Sequence, residues 1–275
     1  MSAIQKTACI GTECVACGSC ENVCPFGAVS VKDGIRAAVD PAKCVGCGTC
    51  ARNCPAGVIT LVPRQREESR SAFKVIPLKK QKHWYDYLWL GELLYLALSL
   101  TNILFAWLGL IFFTIPLLMS VFGWGKAYCR RFCGRGQLLQ LLGSRLKLSR
   151  NRPTPRFFRT SVFRLGFLTF FMTMFGLMLF GTYRVFTGAP LRQAVTLLWT
   201  FRLPWQWADV SMVPAWTAQF AYGLFSVMAT SSLLGLLVMF LFRSRGWCVF
   251  CPMGTMTQEI SKLKTTKQHG KSDRI

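Results

Sequence analysis

Long apolar runs dominate the chain after residue 83, whereas shorter segments punctuated by Gly and Pro precede them. The first run, 84–122, would form a single helix of about 58 Å, which is nearly twice the roughly 30 Å hydrocarbon core of a bilayer. We therefore divide it near Thr101 and Asn102 into two crossings. Two further runs follow, and the pattern predicts an all-α integral membrane domain with four transmembrane helices. The predicted crossings lie at about 86–101, 103–122, 161–186 and 217–242.

The charge of the loops predicts the topology of this domain. The segment 123–160 carries ten Lys and Arg and no acidic residue, and the tail 243–275 carries seven more basic residues. By the positive-inside rule, such basic segments stay in the cytoplasm. Four crossings therefore predict a multi-pass protein of the cytoplasmic membrane, with the 123–160 loop and both termini in the cytoplasm.

Composition supports a membrane protein and excludes other classes. The chain carries 33 Lys and Arg against 11 Asp and Glu, a net charge of +22, yet 52% of its residues are apolar. Because the most basic loop lies against the predicted membrane, we expect anionic lipid head groups as its partner, and no nucleic acid. Two histidines cannot supply the bis-imidazole ligands of a dihaem pair, which excludes a cytochrome b-like carrier.

Composition also divides the chain into three parts, 1–62, a linker at 63–85 and the membrane domain at 86–275. The first part holds nine of the 13 cysteines, and the linker carries seven Lys and Arg against two acidic residues. The segment Met1–Ile10 has no apolar stretch of the signal-peptide type. We therefore expect the cysteines to lie in a reducing cytoplasm, where clustered thiols usually bind metal.

The first part contains one cysteine pattern twice. The two copies read Cys14-x2-Cys17-x2-Cys20-x3-Cys24-Pro25 and Cys44-x2-Cys47-x2-Cys50-x3-Cys54-Pro55. In this spacing three thiolates on a tight loop bind one iron–sulfur cluster, and the fourth, before the proline, ligates the other cluster. Zinc is the alternative, but zinc sites use two Cys-x2-Cys pairs. Cys9 lies outside both copies, and we expect it to be a small buried hydrophobic residue.

This stretch resembles the bacterial-type ferredoxins with two 4Fe–4S clusters. The resemblance implies a small α+β ferredoxin-like domain at the N-terminus, which relays electrons rather than catalysing a reaction. It also implies the ligand sets. One cluster would be held by Cys14, Cys17, Cys20 and Cys54, and the other by Cys44, Cys47, Cys50 and Cys24.

The four remaining cysteines follow two of the apolar runs, in turns at 129–133 and 248–251. Each turn is followed by an amphipathic stretch, in which Gly136 matches Gly254 and Gln140 matches Gln258. The chain thus repeats a unit of membrane helix, cysteine turn and surface helix.

The chain here resembles the membrane-bound polyferredoxins of the NapH type, a family that includes MauN, the C-terminal half of NosR, and CcoG. These proteins combine paired Cys-x3-Cys-Pro turns at the cytoplasmic ends of membrane helices with a two-cluster ferredoxin unit. Three features differ. The ferredoxin unit comes first here, Gly134 replaces the proline of the first turn, and only two residues separate Cys248 from Cys251.

The resemblance implies an electron-transfer subunit of the quinol dehydrogenase type rather than a self-contained enzyme. It would relay electrons between a cytoplasmic or membrane redox partner and the quinone pool or a partner oxidoreductase complex. A ferredoxin-like protein or a flavoprotein would suit as the cytoplasmic partner. One alternative is a maturation factor that reduces a metal or cofactor for another enzyme. A structural anchor subunit is a further alternative.

The two turns could together supply four thiolates, Cys129, Cys133, Cys248 and Cys251, for a third iron–sulfur centre. Lys126, Arg130 and Arg131 would then offset its negative charge. Unliganded packed thiols, a redox-active pair and a zinc site are the alternatives.

Two other residues are candidates for a proton or quinone site. Glu92 is the only acidic residue deep inside an apolar run, and intramembrane carboxylates are costly and often functional. It could accept a proton during quinol oxidation, or it could pair with another helix. His83 lies beside Trp84 and Tyr85, where it could contact a quinone head group or belong to an aromatic interface belt.

Overall fold

The computed structural model describes residues 6–32, 34–63, 83–198, 200–204 and 213–272. Most of the predicted linker, 64–82, lies outside the described residues. Within the described ranges, a small N-terminal α+β unit precedes a larger helical part.

The N-terminal unit consists of short strands and one-turn helices. Its elements are β1 (Lys6–Ile10), α1 (Ser19–Val23), β2 (Val29–Lys32), β3 (Arg36–Val39), α2 (Thr49–Asn53) and β4 (Ile59–Pro63). Strand β1 pairs antiparallel with β4, and β2 pairs with β3. Because successive side chains of a strand point to opposite faces, Ala8 and Ile10 are buried in β1 and Cys9 is exposed. The expectation that Cys9 is buried is therefore wrong.

The second part is built from helices, helical turns and one hairpin. Its elements are a 3-10 turn (Trp84–Tyr87), α3 (Leu88–Thr101), a 3-10 turn (Ile103–Leu108), α4 (Gly109–Val121), a π turn (Tyr128–Phe132), α5 (Gly134–Gln140), a π turn (Leu141–Arg145), α6 (Arg156–Arg159), α7 (Ser161–Phe186), β5 (Ala194–Leu197), β6 (Phe201–Pro204), α8 (Ala215–Leu241), a 3-10 turn (Gly246–Val249) and α9 (Pro252–Ser272).

Three helical segments of the described chain have the length and hydropathy to cross a membrane: Ile103–Val121, Ser161–Phe186 and Ala215–Leu241. They match three of the four predicted crossings. The fourth, α3, has only 14 residues and is about 21 Å long. It ends at Thr101 because Asn102 is extended, and the Asn102 Oδ1 accepts a hydrogen bond from the Leu104 N–H (3.0 Å) that begins the next turn. Four crossings are therefore not confirmed.

The helical part has two ends, which we call the cysteine face and the opposite face. Both cysteine turns lie at the cysteine face, and the start of α8 lies at the opposite face. Helix α3 runs between the two. At its first residue, the Leu88 carbonyl lies against Gly134 of α5, and beyond its end Ile103 packs with Ala218 and Tyr222 of α8.

The N-terminal unit is packed onto the cysteine face. One continuous buried cluster joins its core residues, such as Ile10 and Ala37, to Val238 and Trp247 of the helical part. Backbone acceptors strengthen this contact, since the Thr154 N–H donates to the Pro55 carbonyl (2.9 Å).

Candidate functional site

The structure gathers the eight N-terminal cysteines of the two motifs around two separate cavities. These are the two sets that the ferredoxin resemblance implies, with the fourth thiol exchanged between the motifs. One cavity is lined by Cys14, Cys17, Cys20 and Cys54, and the other by Cys24, Cys44, Cys47 and Cys50.

The backbone of the two motifs repeats closely. Gly18 and Gly48 take the left-handed conformation, with φ of 76° and 75°, before α1 and α2 respectively. This conformation favours glycine because a Cβ would clash with the chain. Cys24 and Cys54 end the two helices with φ of −74° and −72°. The duplicated spacing therefore produces duplicated geometry.

Burial raises the pKa of three of these thiols when no metal is bound. It raises the pKa of Cys54 to about 11, helped by the nearby Cys17 thiol, and it raises the pKa of Cys20 and Cys50 as well. Without metal, the Cys20, Cys50 and Cys54 thiols are thus neutral at physiological pH. Metal ligation would release their protons and offset the charge of the thiolates. The donor set and its apolar setting fit an iron–sulfur cluster.

The four membrane-edge cysteines also share one cavity, of about 110 Å³. Cys129, Cys133, Cys248 and Cys251 line it, together with Cys17 of the N-terminal unit. Across the described residues, no three His, Cys, Asp or Glu side chains come close enough to share a single metal ion. In each of the three sites the sulfurs surround a cavity instead.

Local structure places each of these four thiols. The Cys133 Sγ accepts a hydrogen bond from the Gly136 N–H (3.4 Å) at the start of α5. Cys251 directly precedes Pro252, the first residue of α9, where a proline loses no helical hydrogen bond. The two turns are brought together because α4 packs against α9, and the Ser120 hydroxyl donates to the Thr257 carbonyl (3.2 Å).

Two buried cations lie beside these thiols. Burial raises the pKa of Cys129 to about 12, opposed by Lys126, and raises that of Cys248 to about 12, opposed by Arg245. Burial also lowers the pKa of Lys126 to about 8, opposed by the Cys129 thiol. A set of thiolates ligating metal would therefore find compensating positive charge already in place. Arg245 was not predicted from the sequence, although it stands three residues before Cys248.

Glu92 lies on the wall of the same cavity, where Arg135 pairs with it. The Arg135 Nη2 is 2.8 Å and its Nε 2.9 Å from the Glu92 Oε1, and another guanidinium N–H donates to the Ser231 hydroxyl. Glu92 is only 4% exposed. The sequence identifies this carboxylate but not its partner, because nothing in the pattern distinguishes Arg135 from the other nine basic residues of the 123–160 loop.

His83 is placed elsewhere. Its ring is exposed and stacks on Tyr85, with ring centroids 5.0 Å apart, and it is not among the residues that line the thiol cavity. Tyr85 in turn contacts Phe132 at 5.6 Å. The structure therefore places His83 in the aromatic group and not beside Glu92.

Polar side chains of the helical part bind the loops of the N-terminal cysteine motifs. The Lys126 Nζ donates to the Val15 carbonyl (2.6 Å), and the Gln258 amide donates to the Cys14 carbonyl (3.2 Å). The Gln258 Oε1 accepts from the Arg164 guanidinium (2.6 Å). These contacts fix the loop that carries Cys14 and Cys17 against the cysteine face.

Arg130 of the cysteine face packs against Gly18 of the first cysteine motif. Alanine at Gly18 and alanine at Gly48, its equivalent in the second motif, should therefore have different effects. A Cβ at Gly18 would lie 2.3 Å from the Arg130 Cγ, whereas one at Gly48 would meet only Leu61, at 3.2 Å. Both alanine variants carry the same backbone strain, so Gly48→Ala is the matched control. We expect Gly18→Ala to speed hydrogen exchange of the 126–133 backbone about tenfold more than Gly48→Ala does. Equal hydrogen-exchange rates of 126–133 in the two variants would contradict the packing of Arg130 against Gly18.

Comparison with known families supports a 4Fe–4S binding protein. The family model of a 4Fe-4S dicluster domain matches residues 13–58, and that of a 4Fe-4S binding domain matches residues 105–155 and 225–268. The second match covers both membrane-edge cysteine turns. No curated protein and no solved structure matches the chain. The iron–sulfur domains suggest electron transfer and the apolar helices suggest membrane anchoring, a coarser class than the NapH type.

Proposed function

We propose that the protein is a membrane-anchored electron carrier with three iron–sulfur sites in a fixed order. The observation that carries this proposal is the position of Cys17. It lines the N-terminal cavity of Cys14, Cys20 and Cys54 and also the cavity of the four membrane-edge cysteines. The two thiol sets therefore meet at one side chain.

The exposure of the cysteines supports the order. Each N-terminal set has two buried cysteines, but Cys47 of the second set is exposed to solvent, whereas Cys14 and Cys17 of the first set are only partly exposed. A soluble partner would thus reach the set of Cys24, Cys44, Cys47 and Cys50 first. The first set would follow, and the membrane-edge set would be last. Iron–sulfur clusters bound at these sites would supply one-electron transfer, with potentials that depend on burial and hydrogen bonding.

The membrane placement forms part of the same proposal. The cysteine face would lie in the cytoplasm, because the 123–160 loop holds ten basic residues and such loops are retained there. Helix α3 would be a fourth, short crossing, since it runs between the same two ends as α8. Both termini would then be cytoplasmic.

The proposed electron path has two ends, and each end would exchange electrons with a different partner. A cytoplasmic ferredoxin-like protein or flavoprotein would serve one end, and the quinone pool or a partner oxidoreductase complex the other. Beside the membrane-edge thiols, Phe112, Phe113 and Phe171 form an apolar wall next to the Glu92–Arg135 pair. A quinone head group would find both an apolar surface and polar groups there.

Two measurements on the purified chain test this function. Iron and acid-labile sulfide should each reach about 12 atoms per chain for three 4Fe–4S sites, against about 8 for two. Chemically reduced protein should be re-oxidised by a short-chain quinone in a stopped-flow experiment. Re-oxidation by a metal ion but by no quinone would favour the maturation factor and contradict the relay to the quinone pool.

A further inference from the structure

A large cavity lies at the other end of the molecule from the cysteines. It has a volume of about 610 Å³ and lies between α7, α8 and the β5–β6 hairpin. Three arginines, Arg184, Arg192 and Arg202, line it. None of the thirteen cysteines lines this cavity, so it lies off the proposed electron path.

One of the three arginines lies deep along the membrane helices. The Thr196 N–H donates to the Ser226 hydroxyl (2.9 Å), and the Leu198 N–H donates to the Thr230 hydroxyl (3.1 Å). Ser226 is about 16 Å along α8 from its first residue. Arg202 pairs with Thr196 in the hairpin, so its backbone lies at the same depth. A guanidinium there is costly unless it faces a polar cavity or a counter-charge.

No protein counter-charge is found among the residues that the structure describes. None of the described carboxylates forms an ion pair with any of the three arginines. The three side chains are exposed, but three like charges around one cavity repel each other, and an anion bound between them would relieve that repulsion.

The two sides of the cavity differ in character. Along α7 the wall is apolar and includes Met174, Leu177 and Phe180, whereas Gln219 and the arginines are polar. Strand β6 is exposed along its whole length, so its outer edge also needs a polar neighbour at this depth. An occupant must therefore carry both an anionic group and a hydrocarbon chain.

We propose that this cavity binds an amphiphile with a phosphate-type anionic head group. Arg184, Arg192 and Arg202 hold the head group, and the hydrocarbon chain lies along the apolar wall of α7. A neutral head group would leave the three positive charges without a counter-charge among the residues that the structure describes. Phosphate chemistry could come from a lipid or from a free anion, and the geometry favours the lipid because the apolar wall extends the site.

The test uses the full-length protein in detergent with short-chain phosphatidylglycerol and phosphatidylcholine of equal chain length, and binding is followed by native mass spectrometry. We expect phosphatidylglycerol to bind about tenfold more tightly. Replacing all three arginines with glutamine should remove this preference. A matched triple variant, in which the exposed Arg145, Arg150 and Arg156 of the cysteine face become glutamine, should keep it.

Several outcomes would overturn the proposal. Equal affinity for the two lipids would do so, and so would equal effects of the two triple variants. Displacement of the lipid by millimolar inorganic phosphate would support the anion chemistry but reject a lipid as its source. If the glutamine variant does not fold, the variant with lysine at the three positions must retain the preference, because it retains the charge. Iron content measured on the same samples reports folding independently of lipid binding.

Discussion

Replacing Glu92 with leucine should destabilise the protein by about 3–5 kcal/mol, because it leaves a buried charge without its partner. Glu92 is 4% exposed, and the guanidinium of Arg135 reaches it through two nitrogens. Among the described residues, the remaining hydrogen bonds of the Arg135 guanidinium would go to the Ser231 hydroxyl and the Met228 sulfur. When SDS is titrated into mixed micelles, half of the variant should be unfolded at a lower SDS fraction than half of the wild-type protein is.

The chain offers a matched control for this variant. Glu259 forms an ion pair of the same length, 2.8 Å, with Lys262, but both side chains are more than a third exposed. Exposed pairs contribute about 0–1 kcal/mol, so Glu259→Leu should change stability little. Glu92→Leu combined with Arg135→Leu should recover much of the loss, since no unpaired charge remains. Similar midpoints for Glu92→Leu and Glu259→Leu would show that the Glu92 pair is not effectively buried.

The sequence predicts best those structural features that depend on residues close together in the chain. Three thiols of each N-terminal set lie within one tight loop, so their three-residue spacing predicts that they meet, whereas the exchange of Cys24 and Cys54 between the sets is what the ferredoxin resemblance implies. The end of α3 is also local. The predicted division near Thr101 and Asn102 is where the helix ends, since the Asn102 side chain begins the next turn. Hydropathy alone suggested a longer first crossing than the 14 residues that the helix has.

The packing of the N-terminal unit onto the cysteine face could not be predicted in this way. Its contacts join residues more than a hundred positions apart, such as Lys126 with Val15 and Gln258 with Cys14. The acceptors are backbone carbonyls, which every residue has and no pattern distinguishes. The charge of the 123–160 loop predicts anionic lipid head groups as its partner. Within it, however, Arg130 pairs with Glu21 and Arg159 with Glu13, so part of this charge holds the N-terminal unit.

The repeat around the two cysteine turns predicts which residues occupy equivalent positions, but it does not predict their surroundings. The match of Gln140 to Gln258 was visible in the sequence, yet the two glutamines have different surroundings. Gln258 is 2% exposed and binds two carbonyls of the N-terminal unit, whereas Gln140 lies at the edge of the π turn that follows α5. In both copies a helix follows the cysteine turn, but among the described contacts only the second glutamine binds the N-terminal unit.

Replacing Cys129 and Cys248 together with alanine should remove about four irons and about four sulfides per chain, leaving about 8 of each. Alanine fits a buried apolar site and offers no oxygen that could replace the thiolate as a ligand. Cys9→Ala is the matched control, because Cys9 is exposed on β1 and lines none of the three thiol cavities. It should leave both counts at about 12.

A second substitution keeps this experiment informative if the double variant does not fold. Cys47→Ala removes an exposed thiol of the second N-terminal set and should also lower the count by about four irons. Its low-temperature EPR spectrum in the reduced state should retain the signal of the membrane-edge centre, which the double variant should lack. If the wild-type chain contains about 8 irons, and the double variant contains the same number, then the four membrane-edge thiols hold no cluster. The electron path would then end at the set of Cys14, Cys17, Cys20 and Cys54.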